Sequence, residues 1–242
     1  MTVNIYIVEG TKPMSVEITY YGHSALSIKF GETNVLIDPF LSENPLANVD
    51  HNDLEADYIL VSHGHEDHVG DTIAIAKRTA ATVVANFEIA NWFASQGLEN
   101  VHPQHIGGGF LHSFGYVKMT QALHGSALPD GSYGGNPCGF LITTSDTTIY
   151  LACDTGLFGD MKLIGNEGVD TAVLPIGDNF TMGPKDALRA VQMIKPTLVI
   201  PVHYNTWPLI EQDALVWKQA VESTTSTKVC VLSSGDTVSI RR

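Results

Sequence analysis

The 242-residue chain reads as an α/β protein in four layers, two mixed β-sheets packed face to face and flanked by helices. Three observations carry that expectation. Hydrophobic residues make up 44% of the chain and charged residues 16%, enough apolar material for a sizeable core and too much for a disordered chain. Apolar, β-branched runs outnumber helical patterns, and the helices fall mainly between strands in the middle and last third. The runs at the N-terminus and at 139–153 follow one another at turn distance, which favours mixed sheets over the competing open parallel sheet. No linker, low-complexity block or fixed-period repeat divides the chain, so residues 1–242 are read as a single domain.

The elements follow in order. VEITYYG (16–22), ALSIKF (25–30) and NVLID (34–38) form a strand meander, and DYILVS (57–62) a buried strand. Helices are expected over 71–79 and 87–96, with TVVAN (82–86) as a strand between them. Strands follow at 116–123, 139–144, 147–153 and 171–176. The run 184–194 is a helix with proline near its start, where a missing N–H costs nothing. A strand over 197–202, a helix over about 210–222 and two late strands complete the chain.

Charge narrows the function classes. Thirteen Lys and Arg against 26 Asp and Glu give a net charge of −13. Nucleic acid and anionic membrane surfaces both call for clustered basic residues, so neither is expected as a partner, and a small molecule is. The opening MTVNIYIVEG has no basic residue before Lys12 and no apolar core with a cleavage site, so no secretory signal is expected. No apolar run is long enough to span a membrane. Cys138, Cys153 and Cys230 cannot all pair, show no C-x-x-C spacing and are read as buried small hydrophobes. A cytoplasmic protein is expected.

The informative stretch is His63-Gly64-His65-Glu66-Asp67-His68, directly after the strand at 57–62. In extended backbone, residues i and i+2 point to the same side, so His63 and His65 can converge on one cation. Asp67 and His68, where the chain turns into the next helix, can face a second cation, and Gly64 leaves room for close approach of backbone. Imidazole nitrogen and carboxylate oxygen suit borderline divalent metals such as zinc, although manganese and iron accept the same ligands. The string is one residue short of H-E-x-x-H, so Glu66 is not the general base of that class and is expected to face solvent or support the loop. His124, Asp154 and His203 each follow an apolar strand, the place where layered α/β folds gather functional side chains. Asp154 is the candidate bridge between two cations.

In that order, His63, His65, Asp67, His68, His124, Asp154 and His203 resemble the metallo-β-lactamase-fold hydrolases, and the resemblance runs over essentially the whole chain. Tyr21-Gly22-His23-Ser24, Asp38-Pro39-Phe40, the run from Gly177 to Gly183 and the run from Pro201 to Thr206 are similar to a subfamily of uncharacterised metal-dependent hydrolases. The resemblance implies an αββα sandwich with a dinuclear site at one edge. It implies His63, His65 and His124 on the first metal, Asp67, His68 and His203 on the second, and Asp154 shared. The shared Asp and the absence of an export signal set the chain apart from true β-lactamases. His65 stands where the redox di-iron branch carries Glu. The RNA-binding elements of the RNA-cleaving branches and the helical extension of the thioester hydrolases are not apparent.

Two divalent ions would supply a bridging hydroxide at neutral pH to attack a small ester-like substrate, a lactone, amide or phosphodiester. Asp67 is placed to orient that hydroxide, and Asp38 and Asp178 to fix ligand tautomers. His23 either lines the pocket or hydrogen-bonds within the meander, and Tyr204 and Asn205 either meet substrate or cap the turn after His203. Asp67, His23 and Tyr204 are thus the candidate catalytic residues. Gly107-Gly108-Gly109 and Gly134-Gly135 lack the Walker lysine and are expected as flexible loops near the site entrance. Trp92, Trp207 and Trp217 are expected as packing residues, with a place at the border of the pocket as the alternative for Trp207 alone, four residues past a ligand. His51, His102, His105 and His112 are expected at the surface or in loops. Near the motifs the chain offers only Lys118, Lys162 and Lys185, which weakly favours neutral carbonyl substrates, although two metals can bind a phosphate without Arg. The alternative is a non-catalytic metal-binding or interaction module, which the full complement of ligand-type residues disfavours.

Overall fold

The computed structural model describes residues 15–240, so the N-terminal segment read above as lacking a signal lies outside the described residues. Two seven-stranded sheets face each other. The first comprises β1 (Val16–Gly22), β2 (Ala25–Phe30), β3 (Thr33–Ile37), β4 (Tyr58–Leu60), β5 (Thr82–Asn86), β6 (Val101–Gln104) and the closing strand β14 (Thr237–Ile240), in the order β14-β1-β2-β3-β4-β5-β6. The second comprises β7 (Gly109–His112), β8 (Gly115–Gln121), β9 (Cys138–Thr143), β10 (Thr148–Leu151), β11 (Thr171–Pro175), β12 (Leu198–Val202) and β13 (Lys228–Val229), in reverse sequence order. Both sheets are mixed. β3 to β6 run parallel, as do β10 to β13, and the meanders at the other end of each sheet are antiparallel.

Alternation in β1 is the simplest instance of how sequence dictates this packing. Val16, Ile18 and Tyr20 are buried while Glu17, Thr19 and Tyr21 are only partly so, as a period of two requires. The inner faces of the sheets meet in one core that includes Ile18, Ile28, Phe140, Ile149 and Ile200. The helices α1 (Glu66–Val69), α2 (Thr72–Thr79) and α3 (Phe87–Ser95) lie in the sequence of the first sheet, whose outer core contains Ile59, Val83, Ile75 and Phe93. The helices α4 (Met161–Gly165), α5 (Pro184–Ile194) and α6 (Ala214–Thr224) do the same for the second, around Tyr150, Leu174, Val191 and Trp217. Three apolar layers between four structural ones make the αββα sandwich.

The differences from expectation have local causes. β6 carries Pro103 and two polar side chains, and only an edge strand, with one side free of ladder bonds, accommodates that proline. Gly107 to Gly109 lead from β6 into β7 and contribute nothing to the cavity at the histidines, so the expected entrance loop is not there. Gly134 and Gly135 likewise stay out of that cavity, and the Gly134 carbonyl accepts from Asn86 and Ser126 instead. The last helix begins at Ala214 rather than 210, because Asp213 caps the N–H groups of Leu215 and Val216. Cys138 and Cys153 are buried, but Cys230 is only half-buried.

His112 also departs from expectation. It is buried at the β6–β7 edge, stacked on Phe114 and edge-on to Tyr58, and its Nε2 has no hydrogen-bond partner. Burial first, and the neighbouring His102 second, push its pKa down to about 4. The folded state therefore binds a proton less readily than the unfolded chain. His112 contributes stability fully above its ordinary value near 6.5 and loses that contribution as pH falls towards about 4. Chemical denaturation of His112→Phe between pH 4 and 7 should show a shallower loss of stability than the parent, and an unchanged slope would contradict this.

Candidate metal centre

All the ligand-type residues sit at one rim of the sandwich, and strand direction explains why. β1, β3 and β4 share one orientation in the first sheet, and β8, β10 and β12 share one in the second. Their C-terminal ends deliver His23, Asp38, the 63–68 segment, His124, Asp154 and His203. The two sheets are tied there by the His203 N–H, which donates to the His23 carbonyl at 2.7 Å. Four non-glycine residues at these ends adopt left-handed backbone: His23 (φ 57°), Asp38 (43°), Cys153 (52°) and His203 (54°). Each costs on the order of 1 kcal/mol, and strain of this kind collects where side-chain direction matters more than local stability. Gly64 sits close against another loop: a Cβ there would lie 3.0 Å from the Ala127 carbonyl oxygen, so that backbone would have to give by a few tenths of an ångström.

A layer of hydrogen bonds fixes the ring orientations. Asp38 is fully buried. It accepts from the Ser62 N–H at 2.8 Å, from the Ser62 hydroxyl at 2.6 Å and from His68 Nδ1 at 2.8 Å. The Ser62 hydrogen is thus committed to Asp38, so His63 Nδ1, 2.9 Å from the Ser62 oxygen, must be the donor there. Both His63 and His68 consequently carry a proton on Nδ1 and turn Nε2 towards the cluster. His23 acts similarly on the opposite flank. Its Nε2 donates to Asp67 Oδ2 at 3.0 Å, and its Nδ1 accepts from the Thr206 hydroxyl at 2.8 Å. His23 is fully buried and supports Asp67 rather than lining the cavity.

Ahead of that layer, His63 Nε2 and His65 Nδ1 approach to 3.0 Å, and His124 stands edge-on to both rings with centroids 5.0 Å away. His63, His65 and His124 form one group with ligand atoms mutually within 4.8 Å, and His23, Asp67, His68 and His203 form another. Asp154 lies between them. Its Oδ2 is 3.0 Å from His203 Nε2, 3.3 Å from His68 Nε2 and 3.5 Å from His124 Nε2.

The protonation states match a cation site. Burial first, with charge from His68 adding to it, holds His63 well below its ordinary value, and burial lowers His65 and His124 as well. These imidazoles are neutral and offer lone pairs. Burial opposes ionisation of Asp154, but His203 and His68 outweigh it and keep the carboxyl well below the usual range. Asp67 is also ionised: the His23 hydrogen bond and the charge of His68 overcome its burial. For His68 the burial penalty is outweighed by Asp154 and Asp38, which raise it well above normal, so a cation taking His68 Nε2 would displace a proton from it. His68 Nε2, Asp154 Oδ1 and His203 Nδ1 are buried without hydrogen-bond partners. Neutral imidazoles and ionised carboxylates gathered at one point, with His68 Nε2 unpaired beside Asp154, are a donor set a divalent cation satisfies.

The other candidates fall elsewhere. Tyr204 lines a separate surface cavity of about 780 Å³ with Asn205, Glu211 and Gln212, outside the one over the histidines. Asn205 caps the turn by accepting from the Gln212 N–H at 2.7 Å. Asp178 is exposed and accepts from the N–H of Asn179, so it is a loop residue rather than a support for the ligands. Glu66 is exposed at the start of α1 and at the cavity mouth. Trp207 does border the cavity, whereas Trp217 is core and Trp92 donates to Asp130. Residues without a ligand-type signal complete the site. Ser62 and Thr206 set tautomers, and Phe40, Phe180 and Leu209 wall a cavity of about 750 Å³. Phe40, Phe180 and Thr206 fall inside the motif runs marked in the sequence, whereas Ser62 ends a strand and Leu209 lies in no marked run.

Residues 33–204 match the Beta-lactamase superfamily domain. A UPF0173 metal-dependent hydrolase of Desulforamulus reducens is 54% identical over 93% of this chain and all of its own length. One from Pelotomaculum thermopropionicum is 50% identical over the same shares. Among solved structures, Igni18, a novel metallo hydrolase from the hyperthermophilic archaeon Ignicoccus hospitalis, is 34% identical with a TM-score of 0.86, covering 94% of this chain and 99% of its own.

Proposed function

Because the chain belongs to the UPF0173 metal-dependent hydrolases of the β-lactamase superfamily, we propose that it is a dinuclear hydrolase of small ester-like substrates, a lactone, amide or phosphodiester. His63, His65 and His124 would hold one divalent ion, Asp67, His68 and His203 the other, and Asp154 both. The observation that carries this reading is the place of Asp154 Oδ2, within 3.5 Å of nitrogens from both groups. An imidazole-rich set with few carboxylates suits zinc better than manganese.

Two such ions would acidify a bound water towards a pKa of about 7 and polarise the substrate oxygen. The chain's own residues do the rest. Asp67, ionised and pinned through Oδ2 by His23, keeps its carboxylate partly open to the cavity, where it can accept a hydrogen bond from the attacking water and orient it. Asp38 and Ser62 keep His63 and His68 from rotating away. The described residues contain no helix long and apolar enough to cross a membrane. The unpaired thiols fit a reducing compartment and support a cytoplasmic location.

Metal analysis of the purified protein, coupled to a screen of lactones, amides and phosphodiesters at neutral pH, tests the reading. Two equivalents of metal, turnover lost on chelation and restored by zinc are expected. Turnover that survives complete metal removal would refute it. His23→Ala should weaken binding of one of the two ions by about 10–100-fold, since Asp67 loses the group that holds it. A titration showing two unchanged affinities would assign His23 no part in the centre.

A further inference from the structure

The cavity has a second set of walls that metal binding does not use. Phe40 is 6% exposed and packs 5.7 Å from His23 and 6.3 Å from Trp207, ring centre to ring centre. Phe180 and Leu209 also line the cavity, at 49% and 67% exposed. Large apolar side chains left open beside a deep polar cluster are placed to receive apolar substrate surface. The charges at the mouth point the same way. Glu43 and Glu66 line the cavity, both exposed, and neither forms an ion pair among the described residues. No Lys or Arg lines it. The two cations the site would hold bring four positive charges, and Asp38, Asp67, Asp154, Glu43 and Glu66 together more than offset them. An anionic substrate would therefore find no basic clamp and would pass two carboxylates on entry.

Resting on the hydrolase reading above, we propose that the substrate is an uncharged carboxylic ester or lactone with an aryl or branched apolar group seated against Phe40 and Trp207, and that Glu43 and Glu66 select against anions. In the reaction the oxygen of water bonds to the carbonyl carbon and the bond from that carbon to the alcohol oxygen breaks. One proton of the water ends on the alcohol, and the acid product ionises. That product carries the charge the mouth disfavours, so the same two carboxylates that admit a neutral ester promote release of its acid.

Phenyl butyrate and phenyl hemisuccinate share a leaving group and differ by a terminal carboxylate. On the zinc-loaded full chain, kcat/KM should favour the butyrate by about tenfold, a preference that shrinks with added salt. The double variant Glu43→Gln, Glu66→Gln should cut it to about threefold or less by raising the hemisuccinate value. Trp207→Ala should raise KM for the butyrate and leave the charge preference in place. Binding supplies a readout independent of turnover. Butyranilide should quench the Trp207 fluorescence, taken as the difference between parent and Trp207→Phe, at about tenfold lower concentration than succinanilate. Equal or reversed preference in either pair would overturn the proposal. If both ions are bound yet neither ester is turned over, the ester-hydrolase reading fails by itself, and the anilide pair still decides whether the cavity selects neutral apolar ligands.

Discussion

Substitution of Asp154 by alanine is expected to take the protein from two equivalents of bound metal to fewer than one, with turnover down by a factor on the order of 10³ or more. Among the described residues, no other carboxylate lies within 4.0 Å of ring nitrogens from both groups. Its Oδ2 lies 3.0 Å from His203, 3.3 Å from His68 and 3.5 Å from His124, at a position only 2% exposed. Removing it takes away the one carboxylate that the two proposed cations would share, and it leaves His203 and His68 facing an empty pocket. Asp154→Asn separates the causes, because it keeps the volume and loses the charge. It should fail to hold both ions as well. Metal analysis after exhaustive dialysis checks both variants, and a retained stoichiometry of two in the alanine variant would contradict the bridging assignment.

Asp38→Ala should act through folding as much as through metal. The carboxylate is completely buried and is the sole acceptor for three donors, the Ser62 N–H, the Ser62 hydroxyl and His68 Nδ1. Removing one partner of a buried charged pair typically costs about 3–5 kcal/mol, because the groups left behind stay buried and unsatisfied. At this chain length that corresponds to a fall in Tm of roughly 6–20 °C. The same change frees the rings of His63 and His68, so one ligand of each proposed ion loses its orientation. Thermal unfolding of the chelated protein isolates the structural part, and metal titration measures the rest. A chelated variant with an unchanged Tm would show that Asp38 does not organise the rim.

Much of this arrangement was legible in the sequence, for identifiable reasons. The meander at 16–38 shows in its alternation, and the helix at 184–194 starts at the proline that marks it. The ligand-type residues could be picked out because each is a His or Asp directly after an apolar strand, and parallel strands bring such ends to one rim. Short or polar elements were not legible. β6 hides behind His102 and Pro103, and α1 and α4 have too few residues to show a helical period. The supporting hydroxyls of Ser62 and Thr206 carry no signal of their own, since their roles depend on partners such as His23, 183 residues from Thr206. Tyr204 misled for a geometric reason. His203 takes a left-handed turn to face the cluster, and the next side chain leaves in another direction, into its own cavity.

Crystals of the zinc-loaded protein, with diffraction recorded on both sides of the zinc absorption edge, test the central claim most directly. Two anomalous peaks are predicted, one among His63, His65 and His124, the other among Asp67, His68 and His203, with the Asp154 carboxylate touching both. A single peak, or a pair in which Asp154 contacts neither ion, would contradict the account.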